Sequence, residues 1–341
     1  KKVRKSFLFL VVGLFSVLLL AGCGEKSQAD VVKGLNKKVT EMTGYKAEAK
    51  MTLQTGSEPQ VYDVEIWYKD PTYYRVNLKN AQKDQSQMIL RNDEGVFVLT
   101  PALNKSFRFQ SEWPQNSSQA YLYESLVKDI LVDSAAKFKA TEGKYVFETK
   151  TNYQNNKMLP SQEITFNNDM SPSIVKVMDT DRNPLVVVEF SKFEFDASFD
   201  KNAFDVEKNM SHAQIEVPTL ATGEREPFSV KYPLEQPAGV VLVNEKEVET
   251  ENGKRVILSF EGEEKSFTLI QESAEVATPA SASTSTYVSG NPVDLGFTVG
   301  ALTEKALTWT HEGVDYMLAS ENLSEEEMLM VAKSIQGQSA K

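Results

Sequence analysis

A chain of 341 residues with one cysteine cannot close an internal disulfide. Two histidines, His212 and His311, leave a Cys/His zinc site without a ligand set. No apolar run reaches the roughly 20 residues that a membrane-spanning helix requires. The stretch from Phe7 to Leu20 is broken by Gly13 and Ser16. Positive charge is in the minority, 37 lysines and arginines against 48 acids, for a net charge of −11. An acidic chain gains nothing from a phosphate backbone, which argues against nucleic acid as a partner.

The usual signatures of chemistry are missing as well. There is no G-x-S-x-G, and the S-x-x-K of Ser125 to Lys128 lies inside a helical pattern and reads as a surface pair. DTDRNPLVVVEF, from Asp179, opens like a calcium loop but has Pro184 where glycine is needed and Phe190 where glutamate is needed. A hairpin turn is the better reading. Carboxylate pairs such as Asp63 with Glu65 are expected by chance among 48 acids and serve solubility. We expect no catalytic residue, no metal and no cofactor.

What is present begins at the amino end. Lys1 to Lys5 carry four positive charges, an apolar stretch follows, and LLLAGCG closes it. A basic segment, a short apolar segment and small residues before a cleavage point form an export signal. Leu20, Ala21 and Gly22 before Cys23 resemble the lipobox of bacterial lipoproteins, in which the cysteine thiol receives diacylglycerol. The expectation is a signal peptide at 1–22 and a palmitate-type lipid anchor on Cys23. That places the protein on the outer face of the cytoplasmic membrane of a Gram-positive envelope. Two acyl chains hold stably where one does not.

Beyond the anchor, Val31, Val32, Leu35, Val39 and Met42 keep helical spacing. From Tyr45 the period changes to two. In VYDVEIWY, Tyr62, Val64, Ile66 and Tyr68 oppose Asp63, Glu65 and Trp67, and YRVNLK continues the alternation with Tyr74, Val76 and Leu78. Hairpin punctuation separates successive strands, which implies an antiparallel meander. One segment interrupts it: Tyr123, Leu126, Val127, Ile130 and Leu131 form an amphipathic helical stripe. His212 to Glu226 is polar and reads as a linker, and Ala277 to Gly290 reads as a low-complexity loop. The expected organisation is an anchor and sheet domain at 23–211, a linker at 212–226 and a small α+β domain at 227–341, with the loop at 277–290. Ser324 and Glu327 form a capping box ahead of a closing helix.

WYKDPTYYR, NDEGVFVLTPALNKSFRF and YLYESLVKDI resemble the first domain of sporulation lipoproteins of endospore-forming bacteria, which share the fold of the outer-membrane lipoprotein carrier LolA. The pattern is carried by Trp67, Lys69, Pro71, Arg75, Gly95, Pro101, Asn104, Phe107 and Phe204. The resemblance implies a mainly β, α+β fold: a curved antiparallel sheet or unclosed barrel with covering helices, followed by a smaller α+β domain. In the carrier the covered space holds acyl chains. A tethered chain cannot shuttle between membranes, so the expected function is non-enzymatic binding of an apolar ligand or a partner protein in sporulation or germination of the cell envelope. The corresponding apolar groove would be bordered by Tyr62, Val64, Ile66, Tyr68, Tyr74, Tyr123, Leu126, Val127 and Ile130. The competing readings are an envelope scaffold whose interior is filled and, ranked below it, a cell-envelope hydrolase. LGFTVG and LTWTHEGVDYMLAS resemble a small appended domain of unknown function, which implies no chemistry.

Overall fold

The computed structural model describes residues 26–54, 59–81, 86–115, 118–153, 158–216, 228–250, 253–275 and 285–335. Cys23 and the 1–22 segment lie outside them, as do 217–226 of the expected linker and 277–284 of the expected loop.

Helix α1, Gln28–Glu41, starts where Ser27 and Asp30 form a reciprocal capping box. The chain then runs through β1 (Gly44–Leu53), β2 (Gln60–Lys69), β3 (Tyr73–Asn80), β4 (Ser86–Asn92), β5 (Gly95–Thr100) and β6 (Lys105–Phe109). Helix α2, Tyr123–Val132, follows, and then β7 (Lys137–Thr141), β8 (Lys144–Lys150), β9 (Ser161–Asn167), β10 (Pro172–Met178) and β11 (Pro184–Phe195). After helix α3 (Val206–Glu216) come β12 (Val241–Thr250), β13 (Gly253–Glu261), β14 (Ser266–Ser273), β15 (Thr286–Val288), β16 (Asn291–Asp294), β17 (Val299–Leu302), β18 (Ala306–His311) and β19 (Val314–Ala319). Helix α4, Glu325–Ser334, ends the described chain, with the Ser324 to Glu327 capping box formed. None of the described helices is long and apolar enough to cross a membrane.

Two sheets result. The larger has twelve strands in the order β15-β6-β5-β4-β3-β2-β1-β11-β10-β9-β8-β7, curved and unclosed. The smaller has seven, β12-β13-β14-β19-β18-β17-β16. The described residues are therefore mainly β, as the alternating pattern implies, with four α-helices among them.

Period-two alternation gives the large sheet two faces. Its inner face carries Tyr62, Val64, Ile66 and Tyr68 of β2, and these pair with Asn80, Leu78, Val76 and Tyr74 of β3. Helices α1 and α2 cover this face, and Val31, Leu35, Leu126 and Val127 are buried against it. Asp129 of α2, only 1% exposed, accepts from Ser118 Oγ at 2.6 Å and Gln162 Nε2 at 2.7 Å, so a buried carboxylate ties the helix to β9. Ser125 of the S-x-x-K segment is buried, whereas Lys128 is exposed and reaches the Gln115 carbonyl. The two are not a surface pair.

The outer face is covered by α3, whose last turn, from His212, falls where the sequence suggests a linker. Its turns bury Met210 and Ala213 on Met88, Leu90, Phe97 and Leu99. Arg75, 6% exposed, donates from Nε to Asn209 Oδ1 at 2.7 Å and from Nη1 to Glu65 at 2.6 Å, and its guanidinium lies 4.2 Å over the Trp67 ring. Trp67, Arg75 and Phe204 of the family-like pattern therefore hold this face together. Phe204 packs on Tyr73 and Phe199.

The end of the expected loop at 277–290 is a strand. Thr286, Tyr287 and Val288 pair in parallel with Phe107, Arg108 and Phe109, so the carboxy-terminal half supplies an edge strand to the large sheet. One apolar cluster, separate from that under α3, runs from Val31 to Ile335 through both sheets.

Candidate functional site

The nine residues expected to border a groove lie together on the inner face and α2, between 0% and 6% exposed. Their aromatic rings pack on one another. Tyr68 stands 5.5 Å from Tyr45 and 4.9 Å from Tyr74, and Tyr123 meets Phe193, Phe195 and Phe166 within 6.2 Å. Beneath α2 these side chains fill the space.

Tyr45 organises that end. Its hydroxyl accepts the Tyr123 N–H at the first turn of α2 and donates to Glu124 Oε2, each at 3.2 Å. Glu124 Oε1 is buried without a partner among the described residues. Removal from water pushes the Glu124 carboxyl up to about 7.

Open space lies further along the same inner face, toward the β15 edge. The register β4 to β6 places Gln87, Val98, Thr100, Lys105, Phe107 and Phe109 on the inner side, continuing the alternation of Tyr74 and Leu78. Above them stands one face of the small sheet, with Ile270, Thr308 and Met317 side by side across β14, β18 and β19. Its other face is closed by Met328, Leu329, Val331 and Ala332 of α4. Between the two sheets is a cleft of about 450 Å³. Val98, Phe107, Phe109, Val288 and Val299 give it an apolar interior. Arg255 with Glu272 at 2.6 Å and Lys105 with Asp315 at 3.4 Å supply matched charges on its walls. Val299 N–H donates to Gln87 Oε1 at 2.6 Å and holds the sheets apart at a fixed spacing.

Such a cleft can take an apolar body with a polar end, since its interior is hydrophobic and its polar groups are few and positioned. Sequence reasoning placed the space under α2 and missed these residues. The inner-face alternation of β4 to β6 was the available signal, but the opposing wall comes from some 200 residues downstream and has no local mark.

A second polar cluster sits at the far flank of the seam. Asp294 accepts from Tyr121 OH at 3.2 Å and from Gly296 N–H at 2.6 Å. Gly296 has φ +87°, and a Cβ there would meet Leu53 Cδ1 at 3.1 Å, so the turn requires glycine.

Comparison with known proteins follows from this geometry. The family described as "Sporulation protein YdcC-like" matches residues 3–204, and a domain of unknown function, DUF4367, matches residues 236–335. The chain is 63% identical over 342 residues to Sporulation protein YdcC of Bacillus subtilis (strain 168), covering 100% of each. Among solved structures it is similar to the MucA/MucB complex of Pseudomonas aeruginosa, at 12% identity, 91% of this chain, 100% of that chain and a TM-score of 0.35. It is also similar to the CwlD amidase from Clostridioides difficile in complex with the GerS lipoprotein, at 20% identity, 50% and 97% coverage and a TM-score of 0.31. A LolA superfamily protein from Nitrosomonas europaea matches at 8% identity, 54% and 100% coverage and a TM-score of 0.31.

Proposed function

We propose, for a chain that belongs to the YdcC-like sporulation protein family, that it is a non-catalytic binding protein of the spore-forming cell envelope, anchored through Cys23 and taking an apolar ligand between its two sheets. The observation that carries this reading is the 450 Å³ cleft, with phenylalanine and valine inside and matched ion pairs on its walls. An acyl chain is the fitting class of ligand. It buries methylenes at about 0.8 kcal/mol each on the apolar interior, and its polar end meets Lys105 and Arg255. The balanced charges on the walls offer both donors and acceptors to that end, and nothing in such a site needs to react.

The test is displacement of a fluorescent acyl probe from the full chain, compared with Thr308→Trp. Thr308 is half-buried on the β18 wall of the cleft, and a strand position accepts tryptophan. The indole fills the space, and affinity is expected to fall about tenfold or more, a difference of about 1.4 kcal/mol. Undiminished binding in the variant would sink the ligand reading and leave an envelope scaffold.

Anchoring has its own test. Cys23→Ala is expected to abolish incorporation of labelled glycerol into the chain. Labelled protein from the variant would remove Cys23 from the reading.

A further inference from the structure

On the flank of the seam away from the cleft, another cavity of about 290 Å³ opens between the large sheet and α4. Leu53, Leu185 and Val186 from the large sheet, Leu295 after β16 and Met330 of α4 make it apolar. Lys333, half-buried in the last turn of α4, is the one cationic residue on its walls among the described residues. The same side chain borders an adjoining pocket of about 60 Å³ that contains Asp294 and Tyr121.

Among the described residues Lys333 has no hydrogen bond and no ion pair within 4 Å. The acid whose field reaches it is Asp294, whose oxygens already accept from Tyr121 and Gly296. Burial draws the Lys333 ammonium below its ordinary range and pushes the Asp294 carboxyl up. Asp179, also on the cavity wall, has both oxygens engaged within its own turn, by Asn183 N–H at 2.8 Å and Asn183 Nδ2 at 3.0 Å. An ammonium with three unused donors therefore faces an apolar chamber.

We propose that this chamber is a second binding site, for a single-chain amphiphile with a carboxylate head, in which Lys333 receives the carboxylate and the leucine-lined wall takes the chain. A charge-assisted bond in a water-poor site is stronger than the same contact in solvent, so the unpaired ammonium is where an anion gains most. With Asp179 and Glu235 on the walls, the local field already disfavours a dianion, which selects a carboxylate over a phosphate monoester. Leu234, 49% exposed beside the chamber, offers an apolar landing at its mouth. The site is independent of the cleft and stands or falls without it.

The experiment titrates the full chain with decanoate carrying a ¹³C carboxyl. Binding is followed by NMR, and Lys333 acetylation by acetic anhydride is measured by mass spectrometry in parallel. Expected are a bound carboxyl resonance, protection of Lys333 at saturation, and affinity lowered about tenfold in Lys333→Met but kept in Lys333→Arg. Thr308→Trp is expected to remove only decanoate bound in the cleft and to leave the protection of Lys333 by decanoate unchanged, which separates this site from the cleft. Absence of a bound resonance, acetylation of Lys333 undiminished by decanoate, or equal affinity in Lys333→Met would each overturn the proposal. Should Lys333→Met fail to fold, the acetylation footprint on the unsubstituted chain decides.

Discussion

Asp129→Ala is expected to lower the unfolding free energy by about 3 kcal/mol. The carboxylate is 1% exposed and accepts from Ser118 and from Gln162, which is itself fully buried. Burial pushes the carboxyl up, so the native structure bears a desolvation cost that the two hydrogen bonds offset. Alanine removes that cost but takes the acceptor from the Gln162 amide in a dry interior, and a buried donor left without an acceptor costs about 1–3 kcal/mol. The consequence reaches past stability, because Asp129 fastens α2 over the inner face. Urea unfolding with an unchanged slope would report the loss cleanly. A shift under about 1 kcal/mol would show that packing of Leu126, Val127 and Ile130 alone seats the helix.

The second large effect is a pH dependence. Glu124 is held at about 7 against an ordinary 4.5, because it is desolvated beside Tyr45. The folded chain therefore binds this proton more tightly than the unfolded chain does. Between about pH 4.5 and 7 the unfolded state loses the proton first, and stability falls as pH rises, by up to about 3 kcal/mol at about 1.4 kcal/mol per unit of pH. Below that window the contribution is fully present; above it the loss is complete. Glu124→Gln carries no titrating proton, so its stability relative to the parent chain is expected to climb across the window. Midpoints of thermal unfolding for both chains at pH 5 and pH 8 check it. Parallel curves would show that the carboxyl is solvated in the folded chain. The acids that are pulled down, such as Glu148 at about 2 between Arg182 and Lys137, act with the opposite sign and at lower pH.

Much of this architecture was legible in residue patterns because the physics behind it is local. Alternation in VYDVEIWY puts Tyr62, Val64, Ile66 and Tyr68 on one face, and all four are buried there. Ser324 and Glu327 cap their helix as their spacing implies. Where local signal is weak the expectation departs from the structure. VEKNMSHAQIE has no continuous apolar stripe, so the last turn of α3, from His212, passed for the start of a linker. Three residues, TYV, are too few to show a period, so β15 passed for loop. The candidate site is harder still. A lysine in a closing helix reads as solvent-facing, and only the large sheet, brought against it from hundreds of residues earlier in the chain, makes Lys333 unusual. The tyrosines were rightly placed on the inner face; that they would fill one end of it and leave the other open depends on the second sheet.

The pairing of β15 with β6 also sets a timetable. Ser106 and Ser285, hydrogen-bonded at 2.8 Å across that junction, are separated by 179 positions. Because the amino end of the polypeptide emerges first, β1 to β6 are available before Thr286 to Val288 are. For that interval β6 presents a raw rim of unsatisfied amides and carbonyls, the kind of edge that recruits stray strands. The molecule cannot be finished front to back. Its amino-terminal sheet waits for the carboxy-terminal half, and a chain truncated between them would never acquire its last strand.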